Sequence, residues 1–339
     1  MEILSKKVEN RGLTPFFDTD GYNSFIIPSK DKFRVLVLTD FHFSCSAIGR
    51  KKDRLAQEAI IKSVEKVKPD LIIVLGDMVY PIAIISGSAN NKKQSKFVSD
   101  FMERFEIPWC FVFGNHDQEK SSITKKPQLA EIYNQGKYCI FQKGSPDIDG
   151  CGNYIVKLKT PDKKDCGALV FLDSNMYVGK GFYSGFDHVH DNQIEWYKAE
   201  IERLSNKNGS IIPSFAFMHI PIKEFYEAWQ KCYMGSDEVR YHCGFVGEKD
   251  NYFGYPKTRP THIFDDIVKL GSTKAMFFGH DHLNTVSLTY KGVRLSYPMS
   301  IDYMAYIGIK KKNTQRGGTL FEVDEFGNFE IEHTRSMDL

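Results

Sequence analysis

Short, near-continuous apolar runs punctuate this chain: Val35 to Leu38, Leu71 to Leu75, Trp109 to Phe113, Phe215 to Met218 and Met276 to Phe278. Runs this short, apolar at successive positions, read as strands buried on both faces. Between the first three, Leu55 to Val67 and Phe97 to Phe105 space their apolar residues as helices do. That β-α-β-α order predicts a largely parallel central sheet with helices outside. The middle changes character. Tyr138 to Gln142, Asn153 to Lys159 and Ala168 to Asp173 follow closely with turn residues between them, and a helix is expected from Asp191, as N-cap, to Leu204. Thr285 to Tyr290, Val293 to Tyr297, Gly318 to Val323 and Asn328 to His333 then read as antiparallel strands. Two mixed sheets packed face to face with helices outside both, a four-layer αββα sandwich of the α/β class, satisfy this order.

No internal repeat and no long linker divides the sequence, so residues 1–339 are expected to form one domain. It would carry a short N-terminal extension over 1–32 and an aromatic-rich insertion over 223–256. The insertion holds Phe225, Tyr226, Trp229, Tyr233, Tyr241, Phe245, Tyr252, Phe253 and Tyr255. It reads equally as a lid or specificity loop and as a surface loop packed on its own aromatics.

Each of the five apolar runs ends on residues that bind metals. They lead into Asp40-Phe41-His42, Gly76-Asp77, Gly114-Asn115-His116-Asp117, His219 and Gly279-His280-Asp281-His282. Any one of these alone is unremarkable: a lone Gly-Asp is usually a turn. Together they set oxygen and nitrogen donors along one edge of a sheet core, where α/β proteins bind ligands. Two cations close together need a shared ligand, and a carboxylate is the usual bridge. Asp77 suits that role because Gly76 lets the backbone turn sharply before it. Asp40 and His42, two residues apart on an extended segment, can share one ion, and His280 and His282 have the same spacing. Asn115 offers a neutral oxygen. Mixed imidazole and carboxylate donors suit Mn, Fe or Zn, and the lack of a cysteine among them excludes a closed structural zinc site.

Charge and composition narrow the partners. Lys and Arg number 45 against 43 Asp and Glu, a balance that disfavours nucleic acid and an anionic membrane as partners. No apolar stretch reaches the length of a membrane span, and the start, Met1 to Lys7, has no apolar core of a secretory signal. Seven cysteines without a Cys-x-x-Cys pair suit reduced thiols in the cytoplasm. His188, His190, His242, His262 and His333 match none of the five motifs and read as structural. The basic runs Arg50-Lys51-Lys52 with Arg54, and Lys310-Lys311-Lys312, read as solvated, although the first could meet a phosphorylated substrate.

In order and kind, the five motifs resemble those of the calcineurin-like metallophosphoesterases. Trp109-Cys110-Phe111-Val112-Phe113, His219-Ile220-Pro221 and His280-Asp281-His282-Leu283-Asn284 look like the signal-less, purple-acid-phosphatase-like branch, which includes a yeast phosphoprotein phosphatase. The resemblance implies an αββα sandwich with two divalent or mixed-valence ions (Mn, Fe or Zn) at the strand ends. One ion would take Asp40, His42, Asp77 and His282. The other would take Asp77, Asn115, His219 and His280. A hydroxide between them would attack phosphorus, with His116 as catalytic residue beside the leaving oxygen. Asp117 would either orient His116 or tie down the turn. Secreted purple acid phosphatases carry a tyrosine where this chain has Tyr80 and lack the histidine at His42. Here His42 is expected to bind, with Tyr80 behind it. The activity implied is a phosphatase acting on a phosphoprotein or small phosphorylated metabolite. A phosphodiesterase or nuclease on the same core, and a non-catalytic scaffold of the same fold, are the alternatives. Oligomeric state is not legible.

Overall fold

The computed structural model describes residues 2–4, 6, 8–120, 122–179, 185–257, 259, 261–305, 309 and 316–335. Lys310, Lys311 and Lys312 lie outside these residues. The first third of the chain contains β1 (Phe16–Phe17), β2 (Asn23–Ile26), β3 (Phe33–Leu38), α1 (Arg50–Val67), β4 (Leu71–Val74), α2 (Ala83–Ser86), α3 (Asn91–Met102) and β5 (Trp109–Phe111). The middle contains α4 (Lys126–Tyr133), β6 (Tyr154–Lys159), β7 (Asp165–Phe171), β8 (Tyr177–Val178), β9 (Gly185–Phe186), α5 (Asp191–Asn208) and β10 (Ser214–Met218). The last third contains α6 (Lys223–Tyr233), β11 (Val239–Cys243), α7 (Ile263–Leu270), β12 (Thr273–Phe278), β13 (Ser287–Tyr290), β14 (Val293–Ser296), β15 (Gly317–Val323) and β16 (Phe329–Arg335).

Two large mixed sheets result. The nine-stranded one runs β1-β2-β6-β7-β10-β12-β14-β13-β11 and the five-stranded one β16-β15-β3-β4-β5, with β8-β9 as a separate ribbon. β3, β4 and β5 are mutually parallel, as are β7, β10 and β12, so each set brings its carboxyl ends to one edge.

The alternation of side chains explains the layers. In β10, Phe215 and Phe217 enter one hydrophobic cluster, while Ala216 and Met218 enter another. β12 divides in the same way, with Ala275 and Phe277 on one side and Met276 and Phe278 on the other. Phe215, Phe217 and Phe277 meet Phe321 of β15 across the two sheets, at ring separations of 4.8, 6.3 and 5.2 Å. The other faces pack on Ile194, Tyr197 and Ile201 of α5 and Ile263, Phe264 and Ile267 of α7. On the far side α1 contributes Ala56, Ile60 and Val64, and α3 contributes Phe97 and Phe101. A strand buried on both faces must be apolar at every position, which is why these runs read as continuous. Each fully buried Phe contributes about 1.5–3 kcal/mol.

Four features differ from the sequence expectation. The N-terminal extension supplies β1 and β2, with β2 parallel to β6 at the sheet edge. Tyr138 to Gln142, expected as a strand, forms an isolated bridge between Cys139 and Trp109 instead, with Phe141 stacked on Phe111. The insertion over 223–256 is not one loop: it contains α6 and the edge strand β11, which pairs antiparallel with β13. Helix α5 is capped by His190 rather than Asp191.

Candidate metal centre

The strand ends turn abruptly. Asp40, His42, Asp77 and His280 all have left-handed backbone, with φ of 56°, 51°, 50° and 74°. For a residue with a Cβ that conformation costs roughly 1–2 kcal/mol. Such strain persists where function requires a particular side-chain direction. Two glycines let the loops close on one another. Gly76 has φ 81°, and a Cβ on it would lie 2.4 Å from the Gly114 nitrogen. A Cβ on Gly114 would lie 2.1 Å from Asp77 Oδ1.

The expected donors converge around Asp77. Its Oδ2 lies 3.3 Å from His42 Nε2 and 3.2 Å from His219 Nε2. Oδ1 accepts the His116 backbone N–H at 2.7 Å. Asp40, His42, Asp77 and His282 place one donor atom each within 4.8 Å of one another, and so do Asp77, His219 and His280. Asn115 joins the second group, its Oδ1 3.1 Å from His219 Nε2. Its Nδ2 donates to the Tyr177 hydroxyl at 2.7 Å, which fixes the amide with its oxygen inward. The His219 Nδ1–H donates to the Leu75 carbonyl at 2.6 Å, which turns Nε2 toward the Asp77 and Asn115 oxygens. Burial opposes ionisation of Asp77, yet His219, His116 and His42 around it hold its carboxyl well below the usual range.

The unsatisfied atoms indicate what fits here. Asp40 Oδ1 and His280 Nδ1 are buried with no hydrogen-bond partner among the described residues. An unpaired buried polar atom costs about 1–3 kcal/mol, and a cation would satisfy both. Two groups of imidazole, carboxylate and amide donors sharing one carboxylate suit a pair of cations.

His116 stands at the margin, its Nε2 4.0 Å from Asp77 Oδ2. Its Nδ1 faces Glu119 Oε1 at 2.5 Å. The partner of the His116 ring is therefore Glu119. Asp117 ties down the turn instead: its carboxylate accepts the backbone N–H groups of Asp77, Met78, Val79 and Gly114 at 2.8–3.3 Å. Burial, with the Asp77 charge nearby, pushes its pKa up to about 7. Glu119 was legible in principle, three residues beyond His116 in the same loop.

Tyr80 packs edge-on against His42 and His116 and donates its hydroxyl to the Ala305 carbonyl at 3.1 Å. Asp302, unsuspected from the sequence, lies behind the first group. Its Oδ1 is 3.2 Å from His42 Nδ1 and its Oδ2 3.1 Å from His282 Nδ1. Despite burial, those two histidines hold its carboxyl well below the usual range.

The insertion is fastened to the loop that carries His280 and His282. The Gly254 N–H donates to the Asp281 carboxylate, which also accepts the Tyr297 hydroxyl. Asn284 accepts from the Gly247 and Glu248 N–H groups and donates to the Tyr252 carbonyl. A Cβ on Gly254 would lie 2.3 Å from His280 Cδ2. Asp281 thus points away from the donors and supports them.

The remaining histidines lie elsewhere. His188 and His190 pair with Asp187, and His190 also with Asp149. His242 bonds to Thr289, His262 to Asp266 and His333 to the Thr285 carbonyl. Arg50, Lys51 and Arg54 are exposed at the start of α1. No helix among the described residues is long and apolar enough to cross a membrane.

The chain is 24% identical to probable inactive purple acid phosphatase 29 of Arabidopsis thaliana, over 91% of this chain and 85% of that protein. It is 29% identical to phosphatase DCR2 of Saccharomyces cerevisiae, over 76% of this chain and 45% of that one. The solved structure of a dimetal phosphatase from Danio rerio superposes with a TM-score of 0.54 at 14% identity, covering 85% of this chain and 92% of its own, which shows a shared fold. The family model of the calcineurin-like phosphoesterases matches residues 33–284, the span from β3 through the last strand-end motif. With that match over most of its length, the chain belongs to the calcineurin-like phosphoesterase family.

Proposed function

We propose that this protein is a metal-dependent phosphomonoesterase acting on a phosphoprotein or a small phosphorylated metabolite. The observation that carries the reading is the position of Asp77 Oδ2, 3.2–3.3 Å from histidines of two separate donor groups. That is where a carboxylate shared by two ions belongs. Asp40, His42, Asp77 and His282 would hold one ion, and Asp77, Asn115, His219 and His280 the other. Bound there, two cations (Mn, Fe or Zn) would neutralise phosphoryl oxygens and acidify water.

The residues supply the rest. Glu119 on Nδ1 orients His116 so that Nε2 faces the site, where it can hold a proton for the departing oxygen. Asp117 keeps the loops carrying Asp77 and Asn115 in register through four backbone hydrogen bonds. The word "inactive" in the name of the plant relative raises the scaffold reading. The full set of donors, with His116 beside them, supports catalysis instead. All seven cysteines are unpaired, which supports a reducing compartment such as the cytoplasm.

The test loads purified protein with manganese and compares a chromogenic aryl phosphate monoester with the matching diester. We expect the monoester to be preferred and a chelator to abolish turnover. A diester preference, or silence on both substrates with ions bound, would overturn the proposal.

A further inference from the structure

The donor groups account for the Nε2 atoms of His42 and His282, but not for what stands behind those rings. Both Nδ1 atoms face one carboxylate, Asp302, at 3.2 and 3.1 Å. The ring centroids are 4.8 Å apart, so a single side chain reaches both. Asp302 is fully buried in the loop between β14 and β15. Its immediate neighbours, residues 301–305, are held by several hydrogen bonds. The Ile301 N–H donates to the Thr39 carbonyl beside Asp40, and the Asp302 N–H donates to Ser300 Oγ. The Asp302 carboxylate also accepts the backbone N–H groups of Met304 and Ala305. The Tyr80 hydroxyl pins the Ala305 carbonyl. A carboxylate that receives two backbone donors and faces two imidazoles is fixed in position.

We propose that Asp302 is the shared positioning residue of the first ion pocket, resting on the metal-centre reading above. Standing 3.2 and 3.1 Å from the two Nδ1 atoms, it would accept Nδ1–H from both His42 and His282, which sets one tautomer on each ring and presents both Nε2 atoms to the ion. A carboxylate behind a ligating imidazole raises its basicity, and loss of such a partner typically lowers metal affinity about 10–100-fold. Here one side chain serves two ligands of the same ion. The second pocket has no counterpart among the described residues: His219 is backed by the neutral Leu75 carbonyl, and the buried Nδ1 of His280 faces inward unpaired. The two pockets therefore differ in kind. Asp302 also supplies a negative charge behind the first ion, on the side where Tyr80 turns its hydroxyl away to Ala305.

Two readouts test this, both with zinc as the probe. The first uses Asp302→Asn. Its amide oxygen can still accept the Met304 and Ala305 N–H groups, so the loop survives, but its amide group cannot accept from both rings. Calorimetric titration of chelator-treated protein should show two ions in the wild type. In the variant, one ion should bind about 10–100-fold more weakly and the other unchanged. Tyr80→Phe, which loosens the same loop without removing the charge, should keep both affinities. Equal weakening of both ions in Asp302→Asn, unchanged affinities, or the same loss in Tyr80→Phe would overturn the assignment. Failure of wild-type protein to bind two ions would instead overturn the metal centre on which it rests.

The second readout needs no variant. Long-range 1H–15N spectra of zinc-loaded wild-type protein should show His42 and His282 protonated at Nδ1, with His280 protonated at Nε2. Zinc on Nδ1 of His42 or His282 would leave Asp302 without its proposed role.

Discussion

The two donor groups that share Asp77 are built from different material. The first, with Asp40, His42 and His282, is backed by Asp302. The second, with Asn115, His219 and His280, is backed by a backbone carbonyl, the Tyr177 hydroxyl and the Gly254 backbone. Asp40 and Asp302 concentrate negative charge on one side, while the other side has only the shared Asp77 and neutral donors. On the proposed reading, an ion in the first pocket is held tightly and largely compensated. An ion in the second keeps more of its charge to face an anionic ester. One carboxylate joins a storage-like pocket to a working one, which accounts for the burial of Asp77 against the penalty for a buried charge.

The severest way to break this comparison is to remove what the pockets share. Asp77→Asn keeps the shape but halves the oxygen donors and removes the charge. Metal ions in such sites supply several kcal/mol of transition-state stabilisation, so kcat/KM should fall by about a thousandfold or more. Metal content measured after dialysis should fall with it. Near-normal turnover in this variant would mean that the pockets do not depend on a common bridge.

A smaller loss should come from outside both pockets. His116→Ala leaves all seven proposed ligands in place, so metal content should hold while kcat drops about 10²–10⁴-fold. Glu119→Gln keeps the ring but removes the charge behind it and should lose less than His116→Ala. Should His116→Ala lose its metal ions as Asp77→Asn does, His116 belongs to the ligand set and the division fails. Steady-state kinetics together with metal content separate the two cases.

The sequence already displayed the part of this arrangement that lies at strand ends. Asp40, His42, Asp77, Asn115, His219, His280 and His282 each follow a run buried on both faces, so their place at one edge could be read from pattern alone. The groups behind them could not. Asp302 sits in a loop after β14 with no apolar run leading into it, and it reaches His42 across a sequence separation that no local pattern encodes. Tyr177 arrives on a two-residue strand, too short for periodicity to register. β1 and β2 escaped notice because pairing, of β2 with β6 and of β1 with β2, rather than their own composition, makes them strands. Tyr138 to Gln142 erred the other way: its apolar run is real, but only Cys139 meets a neighbour in bridge geometry. Direct contacts in this fold follow local rules, whereas supporting contacts are products of tertiary folding.

The finest test acts on the second pocket alone. The Tyr177 hydroxyl accepts the Asn115 Nδ2 hydrogen bond at 2.7 Å and lies 3.4 Å from Glu119 Oε1. Tyr177→Phe deletes that acceptor and frees the amide to rotate, without touching any atom of the first pocket. A hydrogen bond of this kind contributes about 1 kcal/mol, which corresponds to about fivefold in affinity. One ion should therefore bind about fivefold more weakly, and it should be the ion that Asp302→Asn leaves unchanged. If the pockets are independent apart from Asp77, the two substitutions should combine additively in a double-mutant cycle. A coupling beyond about 0.5 kcal/mol would show that the outer groups communicate through the bridge. Asp302 would then tune the whole centre rather than one half of it.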